Sequence, residues 1–99
     1  MIAPRFALAV TLLGLSVAPG LAASLSPPPG ASSCSGCHAR NAGVDSPIPR
    51  LVRREADELF AAITAFKTGR RPSTIMERIA KGFTDEEIRA IADWYAEQK

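Results

Sequence analysis

The sequence predicts an all-α fold in a single small domain. Three observations carry that reading. No run alternates apolar and polar residues long enough to make a half-buried strand. Two segments, Glu55 to Thr68 and the stretch after Thr84, repeat apolar residues at spacings of three and four. Glycines and prolines punctuate the chain where those segments stop. At 99 residues the chain has room for one domain at most.

The N-terminus reads as an export signal. Arg5 forms a short basic region, and Phe6 to Val17 is an apolar run closed by Pro19 and Gly20. Small residues then offer cleavage between Ala22 and Ser24, so residues 1–23 are expected to be removed. The run is shorter than the roughly 20 apolar residues that span a bilayer, so no stable membrane insertion is expected after cleavage. Export would place the protein in the periplasm, an oxidising compartment. Residues 24–33 contain Pro27-Pro28-Pro29-Gly30 and read as an extended leader, because proline lacks the N–H that a helix needs.

The candidate domain covers residues 34–99. Cys34-Ser35-Gly36-Cys37-His38 opens it, and residues 40–54 follow as a loop with Gly43, Pro47 and Pro49, anchored by Leu51 and Val52. The helix Glu55–Thr68 has the apolar stripe Ala56, Leu59, Phe60, Ile63, Phe66, and acids in its first turn, where they suit the helix dipole. Gly69 and Pro72 end it. A short helix is expected over Thr74–Ala80, with Gly82 as its stop. The last helix begins at the capping box Thr84-Asp85-Glu86-Glu87 and carries Ile88, Ile91, Ala92 and Tyr95 on one side, with Trp94 beside them.

A domain this small rarely gains more than about 3–5 kcal/mol from its core. A large enzyme with its own substrate cleft is therefore excluded, and a domain stapled by something is expected. Without Arg5 the chain holds eleven basic and ten acidic residues, a near balance that gives no footprint for nucleic acid.

Cys34, Cys37 and His38 supply the staple. The pattern C-x-x-C-H is that of c-type haem attachment. Two thiols three residues apart on a helical turn can both add to the vinyl groups of one porphyrin, and the adjacent imidazole then lies under the iron. A thioredoxin-type disulfide would expect a βαβ surround, and a zinc site about four ligands. Both suit this chain less well, as do two structural cysteines beside a chance histidine. His38 is the single histidine, so two-histidine ligation within one chain is impossible. Met1 leaves with the signal, which makes Met76 the candidate second axial ligand; a His/Met pair suits electron transfer. A methionine that merely fills the core is the competing reading. His38 should also have its other ring nitrogen bonded, and a backbone carbonyl in the 46–50 loop, with Pro49 preferred, is the expected acceptor. Phe60, Ile63, Ile75, Ile79, Phe83 and Ile91 are candidates for the pocket wall or for ordinary core. In the run Lys67 to Arg71, Arg70 and Arg71 could pair with haem propionates or with an acidic partner, or could be a solvated helix end.

In its order of haem motif, proline loop, middle helix, methionine segment and closing helix, the chain resembles a class I cytochrome c of the short bacterial type. The segments Ile48-Pro49-Arg50-Leu51, Phe66 to Arg71, and Ser73-Thr74-Ile75-Met76 through Gly82 are similar to the haem subunit of flavocytochrome c sulfide dehydrogenase. The resemblance implies three to four helices wrapped around one covalently attached haem c. It implies Cys34 and Cys37 as attachment points, and His38 and Met76 as iron ligands. It implies a flavoprotein dehydrogenase subunit as electron donor and a further protein as downstream acceptor. In that family the flavoprotein oxidises sulfide, and the cytochrome carries electrons without being the catalytic chain. A free, diffusible cytochrome or the cytochrome subunit of another periplasmic oxidoreductase is the alternative; a haem sensor or a small redox thiol protein stands further off. Trp94 departs from the Tyr or Phe more usual in the last helix, and is expected to alter packing against the first.

Overall fold

The computed structural model describes residues 26–98 together with Gly14; the expected signal segment otherwise lies outside the described residues. Among the described residues four helices follow in order: α1 (Ala31–Cys34), α2 (Ala56–Lys67), α3 (Met76–Ala80) and α4 (Asp85–Glu97). No strand occurs among the described residues.

α1 corrects the expected extended leader, since its first three residues lie within 24–33. The prolines do keep the chain out of helix up to Pro29. Gly30 then turns it at φ +85°, a left-handed value that suits glycine, and the Ala31 N–H bonds to Pro28 O at 3.1 Å. A Cβ on Gly30 would overlap the ring of Phe83, so the position also needs glycine for space. Ala31 is fully buried, which docks this single turn onto the rest of the protein.

α2 starts where its acids begin, with Glu55 extended as N-cap and Asp57 and Glu58 in the first turn. It stops at Gly69, which adopts φ +75°. α3 is shorter than the expected 74–80, because Ile75 sits at φ −131° and ψ −27°, outside helical geometry. The Ser73 hydroxyl instead accepts from the Glu77 N–H at 2.9 Å and satisfies one of the free donors at the helix start. α4 has both bonds of the capping box: Glu87 N–H to Thr84 Oγ1 at 3.2 Å and Thr84 N–H to Glu87 Oε2 at 2.8 Å.

The core lies between α1, α2, α4 and the 51–52 anchor. Ala31, Val52, Leu59, Ile91, Ala92 and Tyr95 are buried together, with Cys34, Leu51, Phe60, Phe83 and Trp94 packed around them. α2 packs against both α3 and α4. Arg89 fastens α4 to α2 with a 2.8 Å bond to Asp57, and its guanidinium lies 4.1 Å from the centre of the Phe60 ring. Lys67 at the end of α2 pairs with Asp85 at the start of α4, at 3.0 Å.

The six wall candidates separate. Ile91 belongs to the buried core, and Phe60 and Phe83 are partly buried against it. Ile75 and Ile79 are 53% and 40% exposed, and Ile63 is half-buried. Contact with α1 is made not through the hydrogen-bonding group of Trp94 but through Tyr95. Its hydroxyl donates to Ala31 O at 2.5 Å, and its ring meets Trp94 edge-on at 4.9 Å.

Candidate functional site

The two cysteines sit on one continuous turn. Cys34 ends α1, and its carbonyl accepts from the N–H groups of both Cys37, at 3.2 Å, and His38, at 2.9 Å. The chain therefore coils through Cys34–His38 and keeps both thiols and the imidazole on adjacent positions of one small scaffold. Cys34 is half-buried, and Cys37 is exposed. Burial pushes the Cys34 thiol above its ordinary range; a local backbone hydrogen bond opposes the shift and the neighbouring Cys37 adds to it.

The loop that follows brings a carbonyl to the histidine. Asn41 Oδ1 accepts from Gly43 N–H at 2.9 Å, and Ser46 Oγ accepts from Ile48 N–H at 3.2 Å. These two side-chain turns reverse the chain without help from regular structure. Val52 is buried and pins the far end, while Arg54 Nε donates to Arg50 O at 2.9 Å and Arg54 pairs with Glu58 at 2.8 Å. Pro49 O is thereby held 2.5 Å from His38 Nδ1. A carbonyl can only accept, so Nδ1 is the donor, and in a neutral imidazole Nε2 then keeps its lone pair. That is the tautomer a metal ligand requires.

Met76 stands elsewhere, as the first residue of α3, half-buried and on an element that packs against α2. Arg70 and Arg71 lie at the exposed turn between them. Arg70 Nε donates to Thr68 Oγ1 at 3.3 Å, and the Arg71 guanidinium lies 4.8 Å from the centre of the Phe66 ring. Cys34, Cys37, His38 and Pro49 thus form one constellation. Met76 is on α3, and the two arginines are in the turn after α2.

Two further residues join the constellation: the sequence does not point to Ser35, and it reads Tyr95 only as part of an apolar stripe. Ser35, between the cysteines, has its Oγ 2.9 Å from Tyr95 Oη. A signal for this existed: a phenol on a buried apolar stripe needs a hydrogen-bond partner.

The residues present fit a haem. The donor set is two thiols, an imidazole with a free Nε2 and a thioether. Thr64 Oγ1 and Trp94 Nε1 are buried without a hydrogen-bond partner among the described residues, a state that costs free energy unless another group completes it. Ile48, Ile75 and Ile79 remain exposed as large apolar surfaces on the loop and on the Met76 segment.

No family model matches the sequence. The chain is similar to the cytochrome subunit of sulfide dehydrogenase of Chlorobaculum tepidum, 41% identical over 63 residues, which are 64% of this chain and 57% of that one. It is similar to the thiosulfate dehydrogenase electron acceptor of Thiomonas intermedia, 37% identical over 73 residues, 70% of this chain and 34% of the other. It is also similar to cytochrome c-554(548) of Halomonas halodenitrificans, 32% identical over 71 residues, covering 68% of this chain and 86% of that protein. The chain spans little more than half of the first of these proteins and about a third of the second. With the all-helical fold and the Cys34–His38 turn, these likenesses place it: the chain belongs to the class I cytochromes c. Within that family it resembles the cytochrome subunit of sulfide dehydrogenase. Haem c is the cofactor that the cytochrome relatives imply. Among the described residues no helix is long and apolar enough to cross a membrane.

Proposed function

We propose that the chain is a periplasmic monohaem cytochrome that passes single electrons as a subunit of a flavoprotein sulfide dehydrogenase. Residues 1–23 are the cleaved export signal, and residues 34–99, with the α1 turn before them, make the haem domain. Cys34 and Cys37 would attach the haem, and His38 and Met76 would be the residues that hold its iron. The observation that carries this reading is the Nδ1–H bond from His38 to Pro49 O, which leaves Nε2 free on the same turn as both cysteines. When bound, haem c supplies a one-electron iron couple. The polypeptide supplies the rest: Pro49 orients the imidazole, Met76 sets a high potential, and α2 and the 75–79 segment keep water from the apolar faces.

With His38 and Met76 both held to the iron, the chain would bind no sulfide itself, and that chemistry would fall to the flavoprotein. Arg70 and Arg71 have no carboxylate partner among the described residues, whereas Lys67 is engaged by Asp85. Like Arg50, Arg53 and Arg78, which also make no ion pair among the described residues, the two arginines are available to meet an acidic partner or the propionates. The similarity to the cytochrome subunit of sulfide dehydrogenase supports the choice of donor. A second reading, a free diffusible carrier, draws support from cytochrome c-554(548), of whose length the chain covers 86%.

Gentle purification from native periplasm separates the two readings. Haem absorbance and flavin fluorescence are followed through one sizing column. Co-elution, with haem reduction on adding sulfide, supports the subunit; haem eluting alone at monomer size supports the carrier.

A further inference from the structure

We propose that Tyr95 is a positioning residue for the axial imidazole, holding the Cys34–His38 turn through a hydroxyl relay to Ser35 and Ala31. The inference rests on the reading of His38 as an iron ligand. α1 has four residues, too few to be stable alone, so the turn that carries both thiols and the imidazole must be held by something else. Tyr95 is 1% exposed and lies 60 and 64 residues from its two partners. Its hydroxyl has one proton, and the Ala31 carbonyl, 2.5 Å away, can only accept it. Ser35 Oγ, at 2.9 Å, must then donate to the phenol oxygen. The relay thus has one direction and every hydroxyl proton in use.

Ser35 adjoins Cys34, whose carbonyl takes the N–H groups of Cys37 and His38. Displacement at Ser35 therefore reaches His38 within the same turn. On the other side, Pro49 O holds the imidazole ring itself. The ligand is clamped twice, at its backbone from α4 and at its ring from the loop. If the α4 clamp is loosened, the backbone shifts and the Nδ1–H bond to Pro49 lengthens. The imidazole then donates less electron density, the ferric state loses stabilisation, and the reduction potential rises.

The test uses the full haem-loaded chain and the variants Tyr95→Phe, Ser35→Ala, the two combined, and Ser35→Thr. Reduction potential and amide hydrogen exchange at Gly36, Cys37 and His38 are measured. Tyr95→Phe keeps the ring and its edge contact with Trp94 while removing the hydroxyl; Ser35→Ala reaches the same relay without touching the core. Each single variant should raise the potential, and the double variant should add little to either. Exchange on the turn should quicken roughly fivefold to tenfold, the scale set by one net hydrogen bond. Ser35→Thr, which keeps a hydroxyl, should restore the native values. If Tyr95→Phe lowers the unfolding midpoint but moves neither potential nor exchange, Tyr95 is a packing residue and the inference falls alone. If the native protein holds no haem, or its spectrum survives His38→Ala, the reading beneath falls and takes the inference with it.

Discussion

At the residue scale, two side chains have separable consequences. Met76 begins α3 and is half-buried. Replacing it by alanine removes a thioether that favours the reduced state and leaves the thiol attachments intact. Met76→Ala should retain covalent haem, fall in reduction potential and bind carbon monoxide readily in the reduced form. Potentiometry and the absorption spectrum check this; an unchanged potential would remove Met76 from the iron. Tyr95 gives a pH dependence. Burial raises its phenol above the ordinary value near 10; hydrogen bonding from Ser35 and the charge of Arg40 oppose the shift, and Cys34 adds to it. A group with a raised folded-state pKa contributes stability that is complete below its unfolded pKa and is lost as pH climbs through the folded one. Unfolding midpoints of the haem-loaded protein should therefore decline above about pH 10, and Tyr95→Phe should flatten that part of the decline. That Cys34, Cys37 and His38 share one turn is legible in the sequence from their spacing. Pro49 is legible because a rigid residue in a short loop must pass near His38. Ser35 and Tyr95 are not, since nothing local joins two hydroxyl groups 60 residues apart.

At the scale of elements, legibility follows how local the cause is. The capping box and stripe of α4 lie within the helix, and the sequence reads them directly. The acids and Gly69 that bound α2 are equally local. α3 begins two residues later than its pattern implies, because Ser73, a loop residue, supplies the cap. α1 has no helical pattern to read. Its reasons for existing are Gly30 at φ +85° and the burial of Ala31. Gly30→Ala is the sharpest test of that account. The left-handed backbone alone costs a non-glycine residue about 1–2 kcal/mol, and the new Cβ displaces Phe83 as well. Denaturant unfolding should show a loss of at least that size. A neutral result would mean that α1 is not held at Gly30.

At the scale of the whole molecule, the polypeptide lacks enough core to stand by itself. Tyr95 and Ile88 are the largest fully buried side chains among the described residues, while Ile75 and Ile79 remain exposed. The ion pairs between elements do little to compensate. Arg89–Asp57 and Lys67–Asp85 each have a well-exposed carboxylate, and such pairs contribute from nothing to about 1 kcal/mol. The missing apolar centre is what a covalently held haem would provide. Cys34→Ala combined with Cys37→Ala should abolish accumulation in the compartment where the native protein is found. A well-dispersed NMR spectrum from that double variant would show that the chain folds unaided.

The bond from Tyr95 to Ala31 also bears on when this protein can fold. It joins the first helix to the last across 64 residues. The four-residue α1 has no stable form until the far end of the chain exists, and contacts of such long range close late. While a ribosome is still adding α4, the emerging segment stays threadable. A chain built this way can be pulled through a narrow pore as it is made, and it locks at its beginning only once its end has arrived.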